Sequence, residues 1–220
     1  MPKKLFSEFE PSTYSQWQEK TQRDLKGKPF EDLFNLTSDN ILVYPLYVEQ
    51  TLKNEISPQP ISDYKGWVVF EEILVNIEKE ANKKALDYLN RGANGLLFYV
   101  VEDTNIAALL KDVLMEHVTL HFVVDGSGLE ILNQWMKVAE ERNIDPNKLS
   151  GTINIDPIEN AARTGNWREG EQDDLTELEE LVEACPPSIK AICINNSLFG
   201  NAGATPAQQL GLALAQTCIL

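Results

Sequence analysis

GLLFYVVEDTNIAALLKDVLMEHVTLHFVVD (95–125) decides the fold class. Its first seven residues, GLLFYVV (95–101), form a continuous apolar run, the pattern of a strand covered on both faces. Ile106, Leu109, Leu110, Val113 and Leu114 then recur at helical spacing and predict a helix that ends near Val118. TLHFVVD (119–125) returns to a strand. The same rhythm extends in both directions. Upstream, WVVFEEILV (67–75) reads as a strand, followed by a helix with Ile77, Ala81, Ala85 and Leu89 on one face. Downstream, Leu132, Trp135, Met136 and Ala139 mark a helix and GTINID (151–156) a fourth strand. Leu175, Leu178, Leu181, Val182 and Cys185 mark the next helix, and KAICINN (190–196) a fifth strand. Thr205 and Pro206 begin a last helix as N-cap and first helical residue.

Strands that alternate with helices build βαβ units and a parallel sheet. The candidates are a doubly wound sheet and a (β/α)₈ barrel. A full barrel takes about 250 residues, and here the five strands lie between 67 and 196 of 220 residues. The expected fold is therefore α/β, with an incomplete parallel TIM-barrel-like domain of about five βα units over residues 61–220. Residues 1–60 are different. Phe6, Phe9 and Tyr14 to Trp17 are aromatic-rich, and Trp17 to Leu25 predict a short amphipathic helix ending near Gly27. Beyond that helix, Pro29, Pro45, Pro58 and Pro60 interrupt any regular element. This stretch reads as an extended N-terminal arm with little core of its own, which needs its own domain or a partner to lie on.

Nineteen Lys and Arg against 34 Asp and Glu give a net charge of −15, and the only basic pairs are Lys3–Lys4 and Lys83–Lys84. Such a surface repels nucleic acid and anionic membranes, both of which need clustered cations. The start, MPKKLFSEFEPS, has no apolar core of a secretion signal, and no run of about 18 apolar residues exists to span a bilayer. Three cysteines, Cys185, Cys193 and Cys218, are odd in number and lack CxxC spacing, so neither a disulfide framework nor a zinc site is implied. The expected location is the reducing cytoplasm.

Catalytic constellations are scarce. His117 and His121 are four apart, but the first ends a predicted helix and the second lies in a strand, so they do not share a helical face and are expected to pack or face solvent. Asp125-Gly-Ser-Gly128 sits between strand and helix, where amides could cradle a phosphate, yet the third glycine of GxGxxG is missing, and a tight βα turn is the favoured reading. The acidic residues Glu169, Glu171, Asp173 and Asp174 read as a solvated loop at a helix N-terminus. Asp156-Pro157 and Asn195-Asn196-Ser197 follow the fourth and fifth strands, where barrel enzymes keep their chemistry, but no base or nucleophile pair assembles around them. No catalytic, cofactor-binding or metal-ligating residue is therefore expected in this chain.

Several segments together resemble one family. Trp17 with LKGKPFEDL (25–33), ILVYPLY (41–47), GWVVFEE (66–72), GTINIDP (151–157) and NAGATPAQQLGLALA (201–215) look like the adenosylcobalamin-dependent methylmalonyl-CoA mutases, in an order that covers nearly the whole chain. The resemblance is to the N-terminal part of the small (β) subunit rather than to the catalytic large (α) subunit. It implies a (β/α)₈ barrel preceded by an arm that contacts the partner subunit, with the cobalamin-binding domain outside this chain. In a working member, cobalt–carbon homolysis gives an adenosyl radical that starts the interconversion of methylmalonyl-CoA and succinyl-CoA inside the barrel.

The departures bear on the role. Catalytic members resemble Ser-Gly-Tyr-His-x-x-Glu-Ala-Gly-Ala after the fifth strand; aligned on Ala202-Gly203-Ala204, Ser197 stands at the Tyr position and Leu198 at the His position. The first-strand segment SDYKGWVVFEE (62–72) keeps Trp67 but not the arginine of catalytic members, and Tyr64 falls in no matching motif. The lower-ligand pattern Asp-x-His-x-x-Gly is absent, because Met115 and Thr119 stand two before the histidines. The resemblance thus implies a non-catalytic small subunit that forms a heterodimer with a large subunit, with adenosylcobalamin in the complex and not on this chain. Self-association through open sheet edges is the other association expected of five parallel strands. The alternatives are a divergent catalytic mutase chain, with Asn195 or Asn196 polarising the substrate carbonyl, and a free-standing module binding phosphate or CoA at Gly126–Gly128.

Overall fold

The computed structural model describes residues 9–48 and 66–219. The chain divides into two compact units, Met1–Asp63 and Tyr64–Leu220.

In the first unit, helix α1 (Tyr14–Asp24) starts at a reciprocal cap in which the Thr13 side chain accepts from the Gln16 amide and the Gln16 side chain accepts from the Thr13 amide. It ends where Lys26 and Gly27 take φ of 52° and 91°. A 3₁₀ turn (Phe30–Leu33) leads to an antiparallel hairpin of β1 (Asn35–Leu36) and β2 (Leu42–Val43). Aromatic rings run through the unit from Tyr14 to Trp17, Phe30, Phe34, Tyr44 and Tyr47, successive centroids 5.0–6.0 Å apart. Of these described residues only Phe30 is buried. Pro58, Pro60 and Tyr64 lie outside the described residues, as do Phe6 and Lys3–Lys4.

The second unit is built on five parallel strands, β3 (Phe70–Leu74), β4 (Gly95–Val101), β5 (Thr119–Asp125), β6 (Ser150–Ile155) and β7 (Ile189–Ile192). They lie side by side in chain order. A doubly wound sheet reverses its strand order at a switch point; this one never does. Consecutive order is the winding of a barrel wall, as expected. Helices α2 (Glu78–Asn90), α4 (Gly128–Glu141) and α6 (Glu171–Ala184) pack against β3, β6 and β7. Between sheet and helices, Ile73, Leu96, Phe98, Leu120, Phe122 and Ile153 meet Trp135, Leu132 and Leu181 in a continuous core.

Among the described residues the other sheet face is uncovered, which corrects the expectation that GLLFYVV is covered on both sides. Leu96, Phe98 and Val100 point to the helices and are buried, while Tyr99 and Val101 are 37% and 51% exposed. Leu74 and Ile192 are exposed as well. An apolar second face is what a strand turns toward the axis when such a sheet closes into a barrel.

The stretch read as a helix over 106–114 is shorter than expected. Helix α3 (Ile106–Leu109) makes one turn, Asp112 at φ 61° reverses the chain, and a 3₁₀ turn (Met115–His117) leads into β5. Neighbouring side chains replace the missing helical bonds. Asn82 Nδ2 donates to the carbonyls of Leu109 and Lys111 at 2.8 and 2.7 Å, and Arg142 donates to those of Leu110 and Val113 at 2.9 Å. Gln134 Oε1 accepts from the Ile106 amide. Two further helices are not among those expected from sequence: α5 (Pro157–Thr164) and α7 (Ser197–Asn201). The last helix, α8 (Pro206–Thr217), begins as expected, with Thr205 as N-cap. Among the described residues no helix is long and apolar enough to cross a membrane.

Candidate functional site

Parallel strands all end at the same edge, so the loops after them converge there. At that edge of the second unit lies a cleft of about 760 Å³. Tyr99, Val101, Val123 and Asn154 come to it from the strands, and Arg163, Trp167 and Arg168 from α5 and the loop after it.

Asp156 and Asn195, both placed at strand ends from sequence, are brought together here. Asp156 Oδ1 accepts from the Glu159 amide at 2.8 Å and caps α5, and Oδ2 accepts from the Asn195 amide at 2.8 Å. Each carboxylate oxygen thus receives a backbone amide, and the group ties the β6 loop to the β7 loop. Asn195 Oδ1 is bound by Ser197 within its own turn, at 2.6 Å from Oγ and 3.1 Å from N. Asn196 Nδ2 donates to the Gln209 carbonyl at 2.6 Å. Cys193 lines the same cleft, and burial, with the Asp156 charge second, pushes its thiol up from the usual value. A raised thiol is a poor nucleophile.

The cations of the cleft are already paired. Arg163 lies 3.6 Å from Glu159, and Arg168 is ion-paired with Glu177, whose other oxygen receives the Ser127 hydroxyl. The acidic stretch is only partly the solvated loop expected from sequence. Glu169, Glu171 and Asp173 are exposed, but Asp174 is 7% exposed, because its carboxylate accepts the amides of Arg168 and Glu169 at 2.9 and 3.1 Å. Gly126–Gly128 forms the tight βα turn. Ser127 caps α4, and a Cβ on Gly128 would lie 2.0 Å from Ile155 Cδ1, so the glycine answers to packing. The carboxylate of Glu102 beside Gly126 and that of Glu177 on Ser127 oppose an anion at this turn.

Sequence reasoning did not reach Arg163, Trp167, Arg168 and Glu177. The legible signal was the pairing of Asp156-Pro157, cap and first residue, with Gly165 at φ 79° eight residues on, the start and stop of a helix too short to show periodicity.

His117 is exposed on its 3₁₀ turn, and His121 lies on the open sheet face with its ring centroid 4.3 Å from that of Phe70. Neither lines the cleft, and among the described residues no three His, Cys, Asp or Glu side chains gather as a metal site. This donor set does not fit the cobalt of adenosylcobalamin. Among its described lining residues the cleft also has no histidine, lysine or serine. It can enclose a molecule, but it presents no base–nucleophile pair.

Comparison with known proteins gives the family. The methylmalonyl-CoA mutase profile matches residues 82–219, well over half of the chain and four of the five strands of the second unit. The chain belongs to the methylmalonyl-CoA mutase family. Similar members include the methylmalonyl-CoA mutase small subunit of Porphyromonas gingivalis, 30% identical over 96% of this chain and 37% of that protein. The small subunit of Streptomyces virginiae is 21% identical over 96% of this chain and 38% of its own length. The methylmalonyl-CoA mutase of Escherichia coli is 22% identical over 93% of this chain and 35% of its own length. This mutase-family chain spans little more than a third of the length of the curated relatives it matches.

Proposed function

We propose that this chain is the N-terminal part of a methylmalonyl-CoA mutase small subunit, a non-catalytic partner of the large subunit. On this reading the large subunit carries adenosylcobalamin and interconverts methylmalonyl-CoA and succinyl-CoA, and the small subunit pairs with it and stabilises it in the cytoplasm. Family membership and the small subunits among the similar proteins support the identity. One observation carries the non-catalytic role. At the strand end where catalytic members resemble Tyr-His, this chain has Ser197-Leu198, neither of which supplies the imidazole of that histidine. Asp156 holds two amides, Asn195 holds its own turn and Asn196 holds α8. Asn195 holds its turn through Oδ1, so its Nδ2, a neutral donor, is what remains in place of the histidine that polarises the thioester carbonyl in catalytic members.

Two measurements test the reading. Added to a mutase large subunit, the chain raises that subunit's thermal midpoint. Supplied with methylmalonyl-CoA, adenosylcobalamin and a separate cobalamin-binding domain, the chain alone gives no succinyl-CoA. Turnover under the second condition, or no shift under the first, overturns it.

A further inference from the structure

Residues 165–170 connect α5 to α6 alongside the strand-end cleft, and Trp167 and Arg168 of this connection line it. Glycines stand at both ends, Gly165 at φ 79° and Gly170 at φ 154°. An added Cβ at Gly165 would meet nothing within 4 Å, so the backbone conformation, not space, asks for glycine there. Among the described residues, no backbone–backbone hydrogen bond joins residues 166–169 to any other part of the chain. At its start the segment is tied to α5, where Thr164 Oγ1 donates to the Asn166 carbonyl, the Asn166 amide donates to Thr164 Oγ1 and Asn166 Nδ2 donates to the Thr164 carbonyl. Beyond Asn166 it is held by side-chain ties centred on α6. The buried carboxylate of Asp174 receives the amides of Arg168 and Glu169. The Arg168 guanidinium pairs with Glu177, and Glu177 in turn receives the hydroxyl of Ser127, the N-cap of α4 beyond β5. Beyond the Thr164–Asn166 turn, residues 167–169 are tied only through these two carboxylates and end at Gly170, so they can leave their seat without disturbing any helix or strand.

We propose that residues 167–170, swinging from the Thr164–Asn166 turn, are a hinged strap across the strand-end cleft, latched by Asp174 and Glu177, and that its release controls entry to the cleft. In the latched state Trp167 forms part of the cleft wall. In the released state the amides of Arg168 and Glu169 and both carboxylates are taken up by water, which keeps the balance between the states small. The inference does not depend on which molecule the cleft receives.

The protein carries its own reporters. Cys193 lines the cleft, Cys218 is exposed, and Cys185 packs against the hydrophobic core at the far end of α6. A maleimide added to the folded chain, with each site followed by peptide mass spectrometry, reads all three at once. In the unaltered protein Cys193 reacts much more slowly than Cys218. Asp174→Ala speeds Cys193 by at least about tenfold, as expected for losing two amide bonds to a buried carboxylate, and leaves Cys185 and Cys218 unchanged. Glu177→Gln, which removes the ion pair but keeps an acceptor for Ser127, gives a smaller acceleration of Cys193 alone. Asp173→Ala, one residue from the latch and exposed, gives none. Equal reactivity of Cys193 and Cys218 in the unaltered protein overturns the proposal. So does an Asp174→Ala variant that leaves Cys193 slow, or one that speeds Cys193 and Cys185 together, since that is loosening of the whole unit.

Discussion

Asp156 shows how a residue at a catalytic address is given to structure. Its two oxygens bind amides 3 and 39 residues away in sequence, so the carboxylate pins the β6 and β7 loops to each other. Asp156→Ala removes both bonds and the α5 cap, and lowers stability by about 2 kcal/mol in urea titration. The conservative Asp156→Asn, which still has one acceptor, loses less. From sequence, the position of Asp156 after a strand was readable, but a bond to Asn195 across a parallel pairing was not, since it depends on how β6 and β7 come into register. His121 is a second such case. Its ring lies in the row Leu97, His121, Thr152, Lys190 on the open sheet face. Burial first, and the Lys190 charge second, hold its pKa below the usual 6.5, so the fold favours the neutral ring. The unfolded chain then takes up a proton at a higher pH than the folded one. The stability tied to this group is therefore present above 6.5 and is lost as pH falls through 6.5 toward the lower folded value. The drop in urea midpoint between about pH 7.5 and 5.5 is smaller in His121→Gln than in the unaltered protein. An equal drop in both would contradict this assignment.

At the scale of elements, strands and long amphipathic helices were legible because their periodicity is repeated many times. TLHFVVD is a strand over Thr119–Asp125, and Leu132, Trp135 and Ala139 are all buried in α4. The connection between β4 and β5 was misread for a physical reason. Its apolar residues sit at helical spacing because Ile106, Leu109, Leu110 and Val113 all face the core, yet the backbone carbonyls are satisfied by Asn82 and Arg142, which come from α2 and just past α4. No local pattern reports donors that distant. Asn82→Ala leaves the carbonyls of Leu109 and Lys111 without these donors in the core and costs about 2–4 kcal/mol by chemical denaturation. Two glycines separate close backbone approach from side-chain packing. A Cβ on Gly151 in β6 would lie 1.8 Å from the Leu120 carbonyl oxygen of β5, which the sheet holds in place. A Cβ on Gly128 meets side chains instead, Ile155 Cδ1 at 2.0 Å, its Cγ1 at 2.9 Å and Leu181 Cδ2 at 3.1 Å, which must repack to admit it. Gly151→Ala therefore destabilises by about 3 kcal/mol or more, whereas Gly128→Ala, which asks two side chains to repack, costs about 1–2 kcal/mol. Equal effects in thermal unfolding would refute that difference.

At the scale of the whole molecule, the order β3-β4-β5-β6-β7 and the single layer of helices are the features of a barrel wall. They leave one sheet face, with Leu74, Tyr99, Val101 and Ile192, uncovered among the described residues. The first unit is similarly short of core, with Leu36, Ile41, Leu42 and Tyr47 exposed along its hairpin and the segment after it. Exposed apolar surface on this scale marks association. A net charge of −15 tells against nucleic acid and anionic lipid as the partner, and on the proposed reading the partner is a mutase large subunit. The deciding measurement is sedimentation velocity of the chain mixed with such a large subunit. The account predicts a single boundary for a one-to-one complex, with neither free component left at equal concentrations. Two independent boundaries, each at the position of its component alone, would contradict it.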